Sequence, residues 1–217
     1  PPLGTFKLNR SSLRNFNYAV RTGLYGEGQV DINFNEFENV GAGVWIIDAS
    51  QNTTITGNTF DYVISGVLAG TATSFAASKN RTVVHKNTFN QQITDLQSQA
   101  ITISNEYRRT NHSIVVTDNT IDLFRDESGG YYQIGIVALD VDGALLANNT
   151  FFGSGYHAIE LGSVNFADYS DSNAILGNSF RLSTAADIFV GTGSRNTVIG
   201  SQGASIIDNG VNSLIGR

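Results

Sequence analysis

The sequence predicts an all-β chain wound into a parallel β-solenoid of about seven turns, and three observations predict it. First, the triplet Asn58-Thr59-Phe60 returns as Asn87-Thr88-Phe89 and Asn149-Thr150-Phe151, and in altered form as Asn35-Glu36-Phe37, Asn119-Thr120-Ile121 and Asn178-Ser179-Phe180. The Asn positions 35, 58, 87, 119, 149 and 178 are 23 to 32 residues apart, a range in which self-similarity signals a solenoid. Second, an aliphatic residue stands three positions before each Asn (Ile32, Ile55, Val84, Val116, Leu146, Ile175), in runs rich in Val, Ile and Thr that read as strands. Third, a small residue followed by a β-branched one opens a second strand after each triplet: Ala19-Val20, Gly43-Val44, Gly66-Val67, Ala100-Ile101, Gly135-Ile136 and Ala158-Ile159. No helical period occurs anywhere in the chain.

A register that repeats places each Asn above the last. An Asn at a bend can bond its own backbone and the Asn of neighbouring turns, and a buried amide left unpaired is costly, so the Asn row is expected to be a structural ladder. The Phe row beside it is expected to fill the core with stacked rings. One further turn reads upstream, where Leu13-Arg14-Asn15-Phe16 leads into Tyr18-Ala19-Val20, which brings the count to seven. The Asn-x-Phe bend with its small-aliphatic strand resembles the right-handed parallel β-helix repeat of the pectate-lyase-like superfamily, over about residues 11 to 200. The resemblance implies a right-handed helix. It implies little about activity, because that superfamily includes polysaccharide lyases, epimerases, hydrolases, phage tailspikes and non-enzymatic surface proteins.

Composition narrows the classes. A chain of 217 residues suffices for one domain, read here as residues 1–217, and a one-dimensional stack needs no internal boundary. The formal net charge of -6 argues against nucleic acid, which requires a basic surface. No apolar run is long enough to span a bilayer, and no signal peptide begins the chain. Without Cys there is no disulfide and no thiolate metal site. Five Asn-x-Ser/Thr sequons, at Asn9, Asn52, Asn80, Asn111 and Asn148, are compatible with export, and the expected location is secreted or cell surface. Asn52, Asn80 and Asn111 also read as turn residues at one repeat position.

In chain order, Pro1-Pro2 reads as a processed or trimmed start, and Phe6-Lys7-Leu8 as a strand of an incomplete first turn. No amphipathic helix caps this end, so the chain is expected to be a fragment without its N-terminal cap or to be covered there by another chain. Gly23-Leu24-Tyr25-Gly26-Glu27-Gly28 reads as a bend, since it lacks the spacing and following helix of a dinucleotide site. In Gly43-Val44-Trp45-Ile46, strand alternation sends Val44 and Ile46 inward and Trp45 outward. The equivalent outward row then reads Arg21, Trp45, Leu68, Thr102, Val137, Glu160 and Phe189. So apolar a row calls for a covering loop, an oligomer or partner-chain interface, or a platform for sugar rings. Insertions at residues 69 to 80, 90 to 98, 104 to 112 and 122 to 133 are expected to build a binding face. After Asn196-Thr197-Val198-Ile199-Gly200 the repeats shorten to Ser205–Gly210 and Ser213–Gly216.

Chemistry on acidic sugars needs a group to neutralise the carboxylate and a base for the C5 proton, roles that Arg, Lys, His, Tyr or Ca²⁺ can fill. The residues with that capacity are His85, Lys86, Arg108, Arg109, His112, Arg125, Tyr156 and His157. The catalytic candidates are His157, Tyr156, Arg108 and Glu160; the substrate-binding candidates are Arg109, Arg125, Tyr131, Tyr132 and Trp45. Arg beside aromatic residues can clamp a uronate and stack on its ring, and can equally hold a loop to itself. Asp140 with Glu160 or Asp142 would be the carboxylate pair of a hydrolase. The Tyr-Gly-Phe-Asp-Pro-His segment of mannuronan epimerases is absent, as are the Asn-Thr-Asp and Arg-Ile-Lys segments of polygalacturonases, so neither family assigns a catalytic residue here. No cofactor or metal is predicted beyond the Ca²⁺ that such chemistry admits, because three His at unrelated repeat positions make no transition-metal site. Two function classes follow. One is a carbohydrate-active protein acting on or binding an acidic polysaccharide, of lyase or epimerase type; the other is a non-catalytic module for surface adhesion or assembly.

Overall fold

A computed structural model describes residues 4–22, 28–46, 51–71, 81–90, 98–105, 113–123, 133–162, 170–183 and 186–216. Among these, every regular element is a β-strand, and every strand pairing is parallel. The chain is a parallel β-helix. Each turn supplies three rows of strands.

The first row is a nine-stranded sheet that runs Gly4–Asn9, Gly28–Asn33, Gln51–Thr56, Arg81–His85, Ser113–Thr117, Leu145–Ala147, Ala174–Leu176, Val198–Gly200 and Leu214–Ile215. Seven complete turns, a shortened eighth and the first strand of a ninth account for it. The expected strand at Phe6-Lys7-Leu8 is present, level with Val30-Asp31-Ile32. The second and third rows share a thirteen-stranded sheet. In turns two and three one strand spans both rows (Glu36–Ile46 and Thr59–Thr71). Elsewhere the rows separate, as in Thr88–Asn90 followed by Ser98–Asn105, or Thr150–Ser154 followed by His157–Gly162.

Between the first two rows the chain bends at a residue in the left-handed region, on turn after turn: Arg10, Phe34, Gly57, Lys86, Asp118, Asn148 and Gly177 all have φ between 52° and 66°. The ladder Asn follows this residue. Asn35, Asn58, Asn87, Asn119 and Asn149 are at most 1% exposed. The Oδ1 of Asn87 accepts from the backbone N–H and the Nδ2 of Asn58, both at 2.9 Å. Its own Nδ2 donates to Asn119 Oδ1 (3.0 Å) and back to Ile55 O (2.9 Å). That carbonyl belongs to the aliphatic residue three places before the preceding Asn, and Leu8, Ile32, Val84, Val116 and Leu146 serve their own Asn in the same way. The row ends in hydroxyl chemistry, where Asn178 N–H donates to Ser201 Oγ.

Beside the ladder, Phe37, Phe60 and Phe89 stack with centroids 4.7 Å apart and planes within 9°. Ile121 interrupts the column, and Phe151 and Phe180 resume it at 5.4 Å. In the first turn the ring position belongs to Leu13, which is level with Phe37, while Phe16 is 50% exposed. The upstream repeat is therefore real but contributes Leu13 to the column. One alignment from the sequence is corrected too: Asn52 sits inside a strand, level with Gln29, and its Oδ1 accepts from Arg81 N–H. It is thus no turn residue. Asn80 and Asn111 lie outside the described residues.

Candidate functional site

The third row carries the candidate site on its outward face. Strand pairing places Arg21, Trp45, Leu68, Thr102, Val137, Glu160 and Phe189 at one level in successive turns, the row expected from alternation, and extends it to Ile207. Their inward neighbours Val44, Val67, Ile101, Ile136, Ile159 and Ile188 are fully buried. A second outward line begins three residues earlier, with Tyr18, Ala42, Ser65, Gln99, Ile134 and His157 mutually in register. The small residue that follows each member points inward, as the Cβ positions at Gly43, Gly66 and Gly135 against Phe60, Phe89 and Phe151 show.

Residues from the two lines meet in the same way at both ends of the face. In the first two turns, Tyr18 lies against Trp45 of the next turn with centroids 4.9 Å apart. The Arg21 guanidinium stands 4.6 Å from the Trp45 ring centroid and 5.7 Å from that of Tyr18. Tyr18 is 49% exposed and Arg21 is exposed, while Trp45 is half-buried. In turns six and seven the same three positions hold His157, Phe189 and Glu160. His157 stacks flat on Phe189 (4.9 Å, 3°) and its Nδ1 lies 3.4 Å from Glu160 Oε2. Tyr156 packs against the imidazole, with centroids 4.1 Å apart, and keeps 38% of its own surface exposed. His157 is left 4% exposed.

Comparison of the chain with protein-family models, with curated proteins and with solved structures returns no match. The site therefore rests on its own geometry.

Of the residues chosen from sequence, Tyr156, His157 and Glu160 come together, and Trp45 lies four turns away along the same face, about 19 Å at one strand spacing per turn. Arg108, Arg109, Arg125, Tyr131, Tyr132 and His112 lie outside the described residues. The strands that their segments join are informative. Residues 106–112 follow Ser98–Asn105 and residues 124–132 precede Gln133–Leu139, so the two segments attach at opposite ends of adjacent third-row strands. Residues 72–80, 91–97 and 163–169 also attach to ends of third-row strands.

Asp140 and Asp142 follow the strand Gln133–Leu139, beyond the outward row that holds Glu160. Asp140 is buried at the corner beyond Gln133–Leu139, with φ 54° and its N–H donating to Gly162 O, while Asp142 is exposed and accepts from Asp171 N–H. His85 points outward beside Thr56 and Thr117 as expected, and its Nδ1 lies 3.0 Å from Thr117 Oγ1 and 3.2 Å from Asp118 Oδ2. It belongs to the first row, away from the other candidates. No group of three or more His, Asp or Glu able to hold a metal ion occurs among the described residues, and no helix there is long and apolar enough to cross a membrane.

Sequence reasoning missed Tyr18 and Arg21 as partners of Trp45, and Phe189 as the partner of His157. The outward row read from the sequence already held Arg21, Trp45 and Phe189 but not their contacts. Tyr18–Trp45 and His157–Phe189 each join residue p of one turn to residue p+3 of the next, whereas Arg21 is level with Trp45.

Proposed function

We propose that this chain is an extracellular, right-handed β-helix of the pectate-lyase-like superfamily that binds an acidic polysaccharide along the outward face of its third strand row. One observation carries the reading: the Tyr18–Arg21–Trp45 stack, which sets an exposed guanidinium beside aromatic faces on the outward side of the third row. A uronate offers a carboxylate for the guanidinium and an apolar ring face for the aromatics. Tyr156 extends the platform towards the other end, with His157 and Glu160 packed beneath it.

Binding is favoured over turnover by the state of His157. Its ring faces meet Phe189 and Tyr156, and Nδ1 turns to Glu160, whereas a base must reach the proton that it removes. If lyase or epimerase chemistry accompanies binding, Arg108, Arg109, Arg125, Tyr131 and Tyr132 are the residues that would supply it with Tyr156.

Binding of polygalacturonate and alginate, measured by calorimetry against a neutral glucan, tests the proposal. Arg21→Ala and Trp45→Ala should each weaken polyuronate binding by about tenfold or more, the equivalent of about 1.4 kcal/mol, with an unchanged circular dichroism spectrum. Retained affinity in both folded variants, or equal affinity for the neutral glucan, would overturn it. New ultraviolet absorbance from an unsaturated product would add elimination to binding.

The assembly reading is favoured by a different surface. On the outward side of the first row, Val83, Val115, Leu145, Ala174, Val198 and Leu214 form one apolar line across six turns. Sedimentation of the parent beside Val115→Lys separates the two: assembly requires a concentration-dependent species that the variant loses.

A further inference from the structure

We propose that Asn209 is a site of spontaneous deamidation, converted to aspartate and isoaspartate by attack of the Gly210 backbone nitrogen. Asn209-Gly210 is the one Asn-Gly pair in the sequence. Asn209 follows the strand Ile206–Asp208; its N–H donates to Val190 O (2.8 Å), while its side chain is exposed and makes no hydrogen bond to the described residues. Packing demands the glycine. A Cβ on Gly210 would stand 2.9 Å from Val190 Cγ1 and 3.1 Å from both Asp208 Oδ1 and Ser194 O. The absence of that Cβ also leaves the Gly210 nitrogen unshielded towards the Asn209 carboxamide. The Gly210 N–H already donates to Asp208 Oδ1 at 2.9 Å, so a carboxylate stands ready to receive the proton that the nitrogen must lose.

In the reaction the Gly210 nitrogen bonds to Cγ of Asn209, the carboxamide C–N bond breaks, and ammonia leaves with the displaced proton. Water then opens the cyclic imide at either carbonyl. Two neighbours show what protection looks like. The ladder Asn are buried with their amides fully engaged. Asp142-Gly143, which could form the same imide, has its Oδ1 held by Asp171 N–H at 2.9 Å. Isoaspartate at 209 would lengthen the backbone just before Val211, whose N–H donates to Ser194 O, and so disturb the last rungs.

The full chain, incubated at mildly alkaline pH, is followed by intact mass, peptide mapping and isoaspartyl methyltransferase labelling, with the free peptide Ile206–Val211 as calibrant. Conversion at Asn209 should proceed within about tenfold of the peptide, because exposed segments open at little free-energy cost. Asn87 and Asn149 should stay intact, and Asn209→Gln should remove the label from this stretch. An unconverted Asn209 after the peptide has reacted fully, or equal conversion at the ladder Asn, overturns the proposal.

Discussion

Asn87 and Phe89 are two residues apart and are held by different physics. Asn87→Ala removes the acceptor of Asn58 N–H and Nδ2 and the donor to Ile55 O, leaving buried polar groups unpaired, at an expected loss of about 1 to 3 kcal/mol. Phe89 is fully buried and stacked on Phe60, so Phe89→Ala should cost about 3 to 5 kcal/mol through the cavity. Denaturant unfolding of both variants checks this, and a loss under roughly 0.5 kcal/mol for either would contradict its place in the stack. Asp122 answers to pH. It stands in an outward line with Asp61, Asn90 and Phe152, and burial raises its pKa above the ordinary 3.8. A raised folded value means that the fold prefers the protonated form, so this group's contribution is fully present below the unfolded value and is lost as pH rises through the folded one. Asp122→Asn should therefore stabilise the chain at neutral pH, with the gain vanishing in acid; unfolding midpoints across pH report it, and a gain that persists in acid would point to another cause.

Between successive turns, the packing of one strand against the next explains the glycine at Gly43, Gly66 and Gly135. A Cβ on Gly66 would stand 2.5 Å from Phe89 Cε1 and 2.6 Å from Ala100 O, and Gly43 and Gly135 meet Phe60 and Phe151 in the same way. Gly66→Ala should thus cost about 1 to 3 kcal/mol by overpacking. Gly162→Ala, where the nearest atom is Leu139 Cδ2 at 3.5 Å, should change stability by less than about 0.5 kcal/mol. Equal effects in thermal unfolding would refute this account. At the corner before the ladder Asn, Gly57 has φ 66° and the exposed Phe34 ring lies over it, so that a Cβ would meet the ring at 2.7 Å. Lys86 and Asp118 hold the same left-handed conformation with full side chains, at a cost that the ladder hydrogen bonds next to them offset.

Along the helix axis each turn touches only its neighbours, so stability is a sum of rungs and interfaces with no single nucleus imposed by the fold. The rungs at the two ends of this chain pair on one side only: Gly4–Asn9 is exposed at nearly every position, as is Leu214–Ile215. Native-state hydrogen exchange should be slowest for the ladder amides of turns three to six and fastest in these two strands. Uniform protection from end to end would mean that the chain opens as one unit.

The sequence by itself determined the winding. The repeated Asn-x-Phe, the aliphatic residue three places ahead and the small-aliphatic pair name the ladder, the ring column and the inward face, because period and register are local properties that recur in every turn. Even the outward row from Arg21 to Phe189 was legible, since alternation follows from strand geometry alone. What only the tertiary structure decided is which side chains of different turns touch. Leu13 rather than Phe16 enters the column, because register counts back from Phe37 and not from the nearest aromatic. Ser170 and Asn173 build a second polar row, their Oγ and Oδ1 accepting from Val141 N–H and Ala144 N–H, in a corner where no triplet repeats. Arg21 lies on Trp45 and His157 on Phe189 across gaps of 24 and 32 residues. The turns differ in length, so no fixed spacing along the chain encodes these contacts; they exist only once the strands are stacked.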